Sequence, residues 1–367
     1  MPGAIEQLVR YFQAQVFTKS ECINVLCKYY KEIEEDFANT FSKNSIPYKF
    51  IKRQSDIDLE NGKVVFYLFN AQSNCRIVSY RGLTHIFVTH GESHKLASVK
   101  PIIRIYDFVI TSGMVGIERY LKTGIFTQFD IDDGKVIKLG NTFIGNNSFS
   151  YDYNCSNIVY APTWEGGVPE EDYCSINSLT TQKIIEFCEA EKIKKIYIQQ
   201  HPNLGHRLHR KKDMLNEMIK AFQEKNLNAI LINQKNKKSN FIDRFLRKKT
   251  HPSQLIYNVC YALTDISAME VQFISKGIPC SVFINDGTLN AVSIPKALNS
   301  YYKMTFIKPK EKIKKICVTQ QMEIRKYFID YEIGISQSLS YSKRIKWLCE
   351  FATKEKERKT DLHFRNY

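Results

Sequence analysis

The 367-residue sequence has no apolar run long enough to cross a membrane, no CxxC pair and no internal repeat. The uncharged stretch from Pro252 to Thr264, which no other exceeds in length, falls well short of the roughly 20 apolar residues that a membrane-spanning helix needs. Met1 to Val16 lacks the basic start and continuous apolar run of a signal peptide. We therefore expect a cytoplasmic protein, either free or peripheral on the cytoplasmic face of the inner membrane.

Metal-binding and nucleic-acid-binding motifs are also missing. The ten cysteines lack metal-ligand spacing, and most sit inside apolar runs that predict buried, reduced thiols. There is neither zinc-finger spacing nor an RNP-type aromatic motif. A DxD pattern at Asp130-Ile131-Asp132 runs into Asp133-Gly134, which favours a hairpin turn over a metal site. We expect no metal, no cofactor and no nucleic-acid partner.

Positive charge is what the sequence has in excess, with 53 Lys+Arg against 38 Asp+Glu and a net charge of +15. Residues 191–250 hold 16 Lys+Arg and 5 Asp+Glu, and so most of that excess. One cluster, His206 to Lys212, would guide a diphosphate or an anionic polymer. A second, in residues 235–249, interleaves Phe241 and Phe245 with basic residues and would hold the chain against anionic lipid. A solvated lysine-rich surface is the alternative for both clusters.

The hydrophobic pattern predicts an α/β protein. Residues 1–60 show helical stripes that would pack on a domain, although the first stripe would also suit a membrane surface. From Lys63 onward, short β-rich runs alternate with helical segments, which predicts parallel sheets covered by helices. The predicted strands are Val64–Phe69, His85–Thr89, Phe108–Thr111, Ile158–Ala161, Lys195–Gln199, Ala229–Asn233, Tyr261–Thr264 and Cys280–Ile284.

The polar stretch from Gly140 to Asn157 is the best candidate for a link between two such domains. We expect a helical segment at 1–60, Rossmann-like domains at 61–145 and 155–318, and a closing helical segment at 319–367. In open α/β sheets, ligands bind beyond the carboxyl ends of the strands, so the residues directly after each strand matter most.

Two histidines and one polar turn follow predicted strands directly. His90, before Gly91, would accept a proton from a hydroxyl, or would only cap a turn. His201, before Pro202, would donate to a phosphate oxygen or a leaving group. The turn Thr264-Asp265-Ile266-Ser267 leads into a helix, so its residues are either plain N-caps or part of an anion site for a diphosphate. Trp164 follows a further strand and would line a ligand site.

Several strings occur in an order that resembles the CDP-glycerol glycerophosphotransferase family, which makes teichoic acids and related capsule polymers. The resemblance covers about Asn70 to Pro279. The strings are Asn70-Ala71-Gln72-Ser73-Asn74, Leu83-Thr84-His85, His90-Gly91-Glu92-Ser93-His94-Lys95, Tyr106-Asp107, Tyr160-Ala161-Pro162-Thr163-Trp164-Glu165-Gly166, His201-Pro202 and Thr264-Asp265-Ile266-Ser267.

This resemblance implies a GT-B fold, in which two Rossmann-like domains face each other across a cleft and the C-terminal domain holds the donor. It implies that His90 is the general base on the acceptor hydroxyl and that His201 contacts the donor phosphates. It also implies an enzyme that needs no metal and uses CDP-glycerol or CDP-ribitol as its donor. Further donor-side candidates are Thr163, Trp164, Thr264, Asp265 and Ser267, and the acceptor-side candidates are Asn70, Asn74, Glu92 and Ser93.

The sequence departs from the family pattern at three positions. Ala268 replaces a second Ser after the Thr-Asp-x-Ser turn, and Gln272 stands where an Asp is usual. His94 stands where Asp is common after Gly-Glu-Ser. These changes leave both histidines in place but weaken the assignment of a particular donor.

The sequence thus predicts a transferase that moves glycerol phosphate or ribitol phosphate from a CDP-alditol to a hydroxyl of a surface glycan. A first alternative is a glycosyltransferase of the same fold that uses a nucleotide sugar, in which Asp or Glu, for example Glu92, would be the usual base. A second is a non-catalytic polyanion-binding protein of capsule assembly, which would show salt-sensitive binding without turnover.

Overall fold

The structure is a computed structural model that describes residues 2–19, 25–32, 34–57, 63–89, 91–232, 256–285 and 293–365. The chain forms two compact units. Unit 1 comprises Met1–Glu92, Val99–Gly145 and Ile329–Tyr367, and unit 2 comprises Ser93–Ser98 and Asn146–Phe328. Each unit is built around a parallel sheet.

The α-helices and strands of the described residues are numbered in chain order. The helices are α1 Pro2–Gln13, α2 Glu34–Lys43, α3 Cys75–Val78, α4 Met114–Lys122, α5 Gln128–Asp132, α6 Ser178–Ala190, α7 Arg210–Glu224, α8 Ala268–Ser275, α9 Asn299–Thr305, α10 Val318–Phe328 and α11 Tyr341–Arg365. The strands are β1 Val25–Lys28, β2 Tyr48–Ile51, β3 Val64–Tyr67, β4 Thr84–Phe87, β5 Phe108–Thr111, β6 Val136–Lys138, β7 Phe149–Tyr151, β8 Asn157–Ala161, β9 Lys195–Ile198, β10 Asn228–Leu231, β11 Tyr257–Val259, β12 Tyr261–Asp265, β13 Cys280–Phe283 and β14 Phe306–Ile307.

Unit 1 holds a four-stranded parallel sheet in the order β3-β4-β5-β6. Its two central strands, β4 and β5, are buried along their whole length because helices cover both faces. One of these faces packs against α1 and α11: Tyr11 and Phe17 share a core with Ile86, Phe108 and, from α11, Leu348. The apolar stripe of α1 is therefore a core stripe, as packing on a domain requires.

Unit 2 holds a six-stranded parallel sheet in the order β10-β9-β8-β12-β13-β14. The chain runs from β8 outward through β9 to β10, and then returns to place β12 on the other side of β8. The strand order therefore reverses between β8 and β12. Such a reversal opens a crevice at the carboxyl ends of the two strands, because the connections leave toward opposite faces of the sheet.

All eight strands predicted from the sequence are present, with ends shifted by no more than two residues, although Asn233 lies outside the described residues. The predicted fold class, an α/β chain with two Rossmann-like domains and parallel sheets, is confirmed. Six short strands among the described residues were not predicted: the pair β1 and β2 near the N-terminus, and four others. These are β6, β7, β11 and β14.

Three local predictions need correction. Residues 1–60 are not wholly helical, because β1 and β2 form a small parallel pair there. Asp130 is not in a hairpin: it belongs to α5, where Thr127 and Asp130 form a reciprocal capping box. The C-terminal helical segment is two helices, α10 and α11, which lie in different units because the division falls between Phe328 and Ile329.

The unit boundaries also differ in detail from the predicted domains. The division after Gly145 agrees with the predicted link, but Ser93–Ser98 belongs to unit 2 although its neighbours on both sides belong to unit 1. No helix among the described residues is both long and apolar enough to cross a membrane.

Close packing around Gly116 in α4 of unit 1 predicts that this position tolerates no side chain. A Cβ at Gly116 in α4 would lie 1.7 Å from Thr111 Oγ1 and 2.5 Å from Glu92 Oε1, both of which are fixed by hydrogen bonds. We expect Gly116→Ala to lower the free energy of unfolding by about 1–3 kcal/mol, the usual range for overpacking a core. Urea denaturation measures this.

Gly82→Ala is the matched control, since a Cβ there meets no atom within 4 Å and the backbone is not left-handed. Equal denaturation midpoints for the two variants would show that the packing around α4 is not as described.

Candidate functional site

The sequence motifs of unit 2 meet at the crevice between β8 and β12. Thr163, Trp164 and Glu165 follow β8, Asp265 ends β12, and His201 follows β9, the other neighbour of β8. Parallel strands end at the same edge of a sheet, so segments far apart in sequence come together there. The strand order thus explains why these motifs form one site.

Asp265 is the central carboxylate of this site and is fully buried. Its Oδ2 accepts hydrogen bonds from the backbone N–H of Thr163, at 2.7 Å, and of Ser175, at 3.2 Å. Its Oδ1 is buried and accepts no hydrogen bond from the described residues. Burial raises the pKa of Asp265 to about 6, against the opposing effect of these hydrogen bonds and of Lys95. The carboxylate joins the end of β12 to the loop after β8.

Lys95 contributes a cation to the same loop. It lies in the segment Ser93–Ser98, which belongs to unit 2. Its Nζ donates a 2.7 Å hydrogen bond to Thr163 Oγ1 and lies 5.2 Å from the centroid of the Tyr173 ring. Burial lowers the pKa of Lys95 to about 8, although Asp265 acts to raise it. At neutral pH, Lys95 is therefore mainly protonated.

Glu165 organises the loop that follows His201. Its fully buried carboxylate accepts hydrogen bonds from the backbone N–H groups of Gly205, Arg207 and Leu208, at 2.8–3.0 Å. Burial acts to raise the pKa of Glu165, but these hydrogen bonds outweigh it and hold the pKa below its usual value. Arg207 returns the interaction by donating to the Glu165 carbonyl and pairing with Asp172 at 3.1 Å.

Trp164 and His201 form an aromatic pair. Their rings are stacked, with centroids 5.9 Å apart and planes 14° apart, and His206 lies edge-on to the indole at 6.4 Å. The backbone N–H of Asn203 donates to His201 Nδ1 at 3.1 Å. A neutral imidazole that accepts at Nδ1 carries its proton on Nε2, so His201 is arranged as a donor at Nε2. This is the form that a phosphate oxygen requires.

Thr264 and Ser267 have local structural partners. Thr264 Oγ1 donates to the Ala161 carbonyl at 2.9 Å and so ties β12 to β8. Ser267 is the N-cap of α8, and its hydroxyl accepts from the N–H of Met269 at 3.3 Å. Gln272, in the same helix, is buried. The N-cap interpretation of Ser267 is therefore confirmed, while the phosphate-binding role of this turn stays a prediction.

A small pocket of about 60 Å³ adjoins this network within unit 2. Tyr173 and Ser175 line it together with Phe283, which ends β13, and with Asn285, two residues further on. Its lining combines two aromatic side chains, Tyr173 and Phe283, with a few polar groups, a mixture typical of small-molecule sites. The pocket shares Ser175 with the hydrogen bonds of Asp265.

The acceptor-side candidates occupy unit 1, apart from Ser93. His90 lies outside the described residues. Glu92 is buried and accepts from Thr111 Oγ1 at 2.8 Å and from the N–H of Ser112 at 2.7 Å, and it pairs with Arg119 at 3.2 Å. Glu92 therefore fixes the turn between β5 and α4.

The remaining candidates are polar groups with varied surroundings. Asn74 donates to the Phe69 carbonyl at 2.6 Å and to Tyr106 Oη at 2.8 Å. The Oδ1 of Asn70 is buried and accepts no hydrogen bond from the described residues. Ser93, in unit 2, lies 3.1 Å from the Ser98 hydroxyl. Their part in acceptor binding stays a prediction.

His94, one of the departures from the family pattern, lies in the interior of unit 2. It is buried, with Tyr302 and Phe328 edge-on to its ring at 5.4 and 6.2 Å. Its Nδ1 is 3.3 Å from the Ser293 carbonyl. An aromatic side chain at this position suits the two neighbouring rings.

Of the two basic clusters, the structure describes the first, His206 to Lys212. In this cluster, Arg207 donates to the Glu165 carbonyl and pairs with Asp172, and Lys211 donates to the Ile176 carbonyl at 3.3 Å. His209 and Arg210 are exposed at the start of α7. The second cluster, at residues 235–249, lies outside the described residues, so its lipid contact stays a prediction.

Sequence reasoning missed Lys95, Glu165 and Arg207 as site residues. Lys95 and Glu165 stand inside the quoted motifs, and the signal for them was there: a charged residue in a motif that directly follows a strand. Their partners, however, lie 68 residues away for Lys95 and about 40 for Glu165. Only the fold supplies those contacts.

No protein-family model and no curated protein matches the chain. Among solved structures, it is similar to the wall teichoic acid polymerase TagF in a structure soaked with CDPG, with 13% identity, 96% of this chain and 86% of that chain covered, and a TM-score of 0.49. For a second TagF structure, the identity is 11%, the coverage 97% and 94%, and the TM-score 0.46. A glycosyltransferase from Rickettsia africae gives 9% identity, 99% and 93% coverage, and a TM-score of 0.41. The expected resemblance is confirmed as a structural similarity, and at these TM-scores it says nothing of the substrate.

The buried charge of Asp265 predicts a pH-dependent stability. Its pKa of about 6 in the folded chain exceeds the roughly 3.9 of an exposed Asp, so ionisation destabilises the fold as the pH rises from about 4 to about 6. Asn accepts the same two hydrogen bonds without a charge. We expect the stability of Asp265→Asn relative to wild type to rise by up to ~3 kcal/mol between pH 4 and pH 7.

Urea denaturation at several pH values measures this difference. The control is Asp361→Asn, an exposed position on α11, for which the difference should not change with pH. A flat difference for Asp265→Asn as well would mean that Asp265 ionises as an ordinary surface carboxylate does.

The role of Glu165 gives a second prediction. Glu165→Ala leaves three backbone N–H groups without their acceptor, and we expect it to lower the free energy of unfolding by about 3 kcal/mol and to expose the chain near Gly205 to limited proteolysis. Glu165→Gln keeps one carbonyl oxygen and should lose less. Glu170→Ala, at an exposed position in the same unit, is the control. Identical proteolysis of all three variants would contradict this role for Glu165.

Proposed function

We propose that the chain is a transferase that moves an alditol phosphate, glycerol phosphate or ribitol phosphate, from a CDP-alditol to a hydroxyl of a surface glycan such as a capsule or teichoic-acid-like polymer. The observation that carries the proposal is the meeting of four motifs at one crevice of unit 2. There, His201, Trp164, Lys95 and Asp265 gather around the ends of β9, β8 and β12.

The crevice suits a nucleoside diphosphate in three respects. The reversal of strand order is where α/β sheets bind such ligands. Lys95 and the Nε2–H of His201 supply a cation and a donor for phosphate oxygens. In the adjoining pocket, Tyr173 and Phe283 offer aromatic surfaces for the base of a nucleoside.

In the proposed reaction, an acceptor hydroxyl attacks the β-phosphorus of the donor. A new bond forms between the acceptor oxygen and this phosphorus, the bond between the phosphorus and the CMP oxygen breaks, and CMP leaves with that electron pair. His90 takes the hydroxyl proton, while His201 offsets the developing negative charge on the phosphates.

Glu92 bears on the choice of base. In the alternative glycosyltransferase, an acid such as Glu92 would take the proton, but both of its oxygens are held by Thr111, Ser112 and Arg119 in a buried turn. A carboxylate whose oxygens are already saturated by donors is a poor acceptor for a substrate proton. This supports His90 as the base.

An assay of donor use tests the proposal. We expect CMP release from CDP-glycerol or CDP-ribitol in the presence of an oligosaccharide acceptor, and little turnover of nucleotide sugars. His90→Ala should reduce kcat about 10²–10⁴-fold, the contribution of a general base, without a matching loss of donor affinity. Asp361→Asn, at an exposed position on α11, is the control.

Two results would overturn the proposal. Turnover of a nucleotide sugar but of neither CDP-alditol would identify the chain as a glycosyltransferase. Salt-sensitive polymer binding without turnover of any donor would identify it as a polyanion-binding protein.

A further inference from the structure

A diphosphate in the crevice of unit 2 needs a positive charge beside it, and none of the roles that the family resemblance implies for the motif residues supplies one. A nucleoside diphosphate carries at least two negative charges, and Asp265, the buried acid at the end of β12, would repel them if it faced them alone. Its Oδ2 points to the N–H groups of Thr163 and Ser175. Asp265 therefore acts through the loop after β8.

Lys95 is the cation that contacts that loop. An ammonium has three N–H donors, and the described residues provide Lys95 with one acceptor, Thr163 Oγ1. The backbone of Thr163 is in turn held by Asp265. Asp265 thus holds Thr163, and Thr163 in turn accepts a hydrogen bond from Lys95, whose ammonium has two further N–H donors.

The position of Lys95 along the chain is a second observation. The segment Ser93–Ser98 leaves unit 1 to pack in unit 2, and it is anchored there by a 3.5 Å contact from the N–H of Leu96 to Tyr173 Oη. The Tyr173 ring lies beneath the Lys95 ammonium and also lines the adjoining pocket. Lys95 therefore stands at the junction between the loop of β8 and the pocket.

We propose that Lys95 binds the phosphate groups of the nucleotide donor and that Asp265 positions it through Thr163. This inference rests on the proposed function, to which it adds a binding residue that lies inside a motif but has none of the roles that the family resemblance implies. When the bond to CMP breaks, its electron pair goes to the leaving phosphate oxygen, and the Lys95 ammonium stabilises that charge without giving up its proton.

Calorimetric binding of CDP, UDP and cytidine tests the assignment. We expect Lys95→Met to weaken CDP binding about 10–100-fold, the usual loss when a charge-assisted hydrogen bond to phosphate is removed. Cytidine has no phosphate, so its affinity should not change. Lys95→Arg should retain CDP affinity within a few-fold, and Lys303→Met, at an exposed position on α9 of the same unit, should behave as wild type.

A pH series provides a readout that a merely structural lysine would not move. Burial lowers the pKa of Lys95 to about 8, and the groups that face it are Asp265, Cys174, Glu171 and Asp172. Cys174 stays neutral in this range because burial raises its pKa to about 12. The CDP affinity of wild type should therefore fall as the pH rises through about 8, while that of Lys95→Arg should not.

The outcomes separate this inference from the proposed function. Unchanged CDP affinity in Lys95→Met, or a wild-type affinity that does not fall above pH 8, overturns the role of Lys95 and leaves the donor class intact. Wild type that binds UDP but not CDP contradicts the CDP-alditol donor, and the loss in Lys95→Met is then measured with UDP. Wild type that binds neither nucleotide nor inorganic pyrophosphate overturns both.

Discussion

The site of unit 2 depends on one buried carboxylate. Asp265 ends β12, and its hydrogen bonds to Thr163 and Ser175 fix the loops that follow β8 on the far side of the strand reversal. Burying a charge is costly unless hydrogen bonds and a cation compensate, which is why its pKa is raised to about 6 even with these partners. Lys95, Trp164 and, through Glu165, the loop after His201 are all held by segments that this carboxylate positions.

Unit 1 uses a buried acid in the same way. Glu92 holds the turn from β5 into α4 through Thr111, Ser112 and Arg119. In each unit, a buried carboxylate thus accepts a hydrogen bond from a backbone N–H group just beyond a strand end and interacts with a nearby cation. Both oxygens of Glu92 are engaged by these donors, whereas Oδ1 of Asp265 accepts no hydrogen bond from the described residues.

The sequence predicts much of the fold because the signal is local. Strands such as Phe108–Thr111 and Cys280–Phe283 are buried on both faces, so they read as short apolar runs between turns. β14 has two residues, and β1 and β2 form a separate two-stranded sheet. Segments this short show no hydrophobic periodicity from which a strand could be predicted. The prediction of a hairpin at Asp130 was wrong because the reciprocal hydrogen bonds between Thr127 and Asp130 start a helix, whereas the string Asp-Asp-Gly alone favours a turn.

The site was predictable in its residue types and not in their roles. Position after a strand singled out His201, Asp265 and Ser267, but the same position suits an N-cap, and Ser267 is one. Whether Asp265 faces a ligand or a backbone depends on the strand order, which brings Thr163 beside it from 102 residues away. A carboxylate beside a diphosphate is unfavourable, whereas a carboxylate behind a lysine is favourable, and only the fold decides between them. The order β9-β8-β12 brings Asp265 against the backbone of Thr163, whose hydroxyl accepts from Lys95, and so gives the acid of the Thr-Asp-x-Ser motif a structural reason for being there.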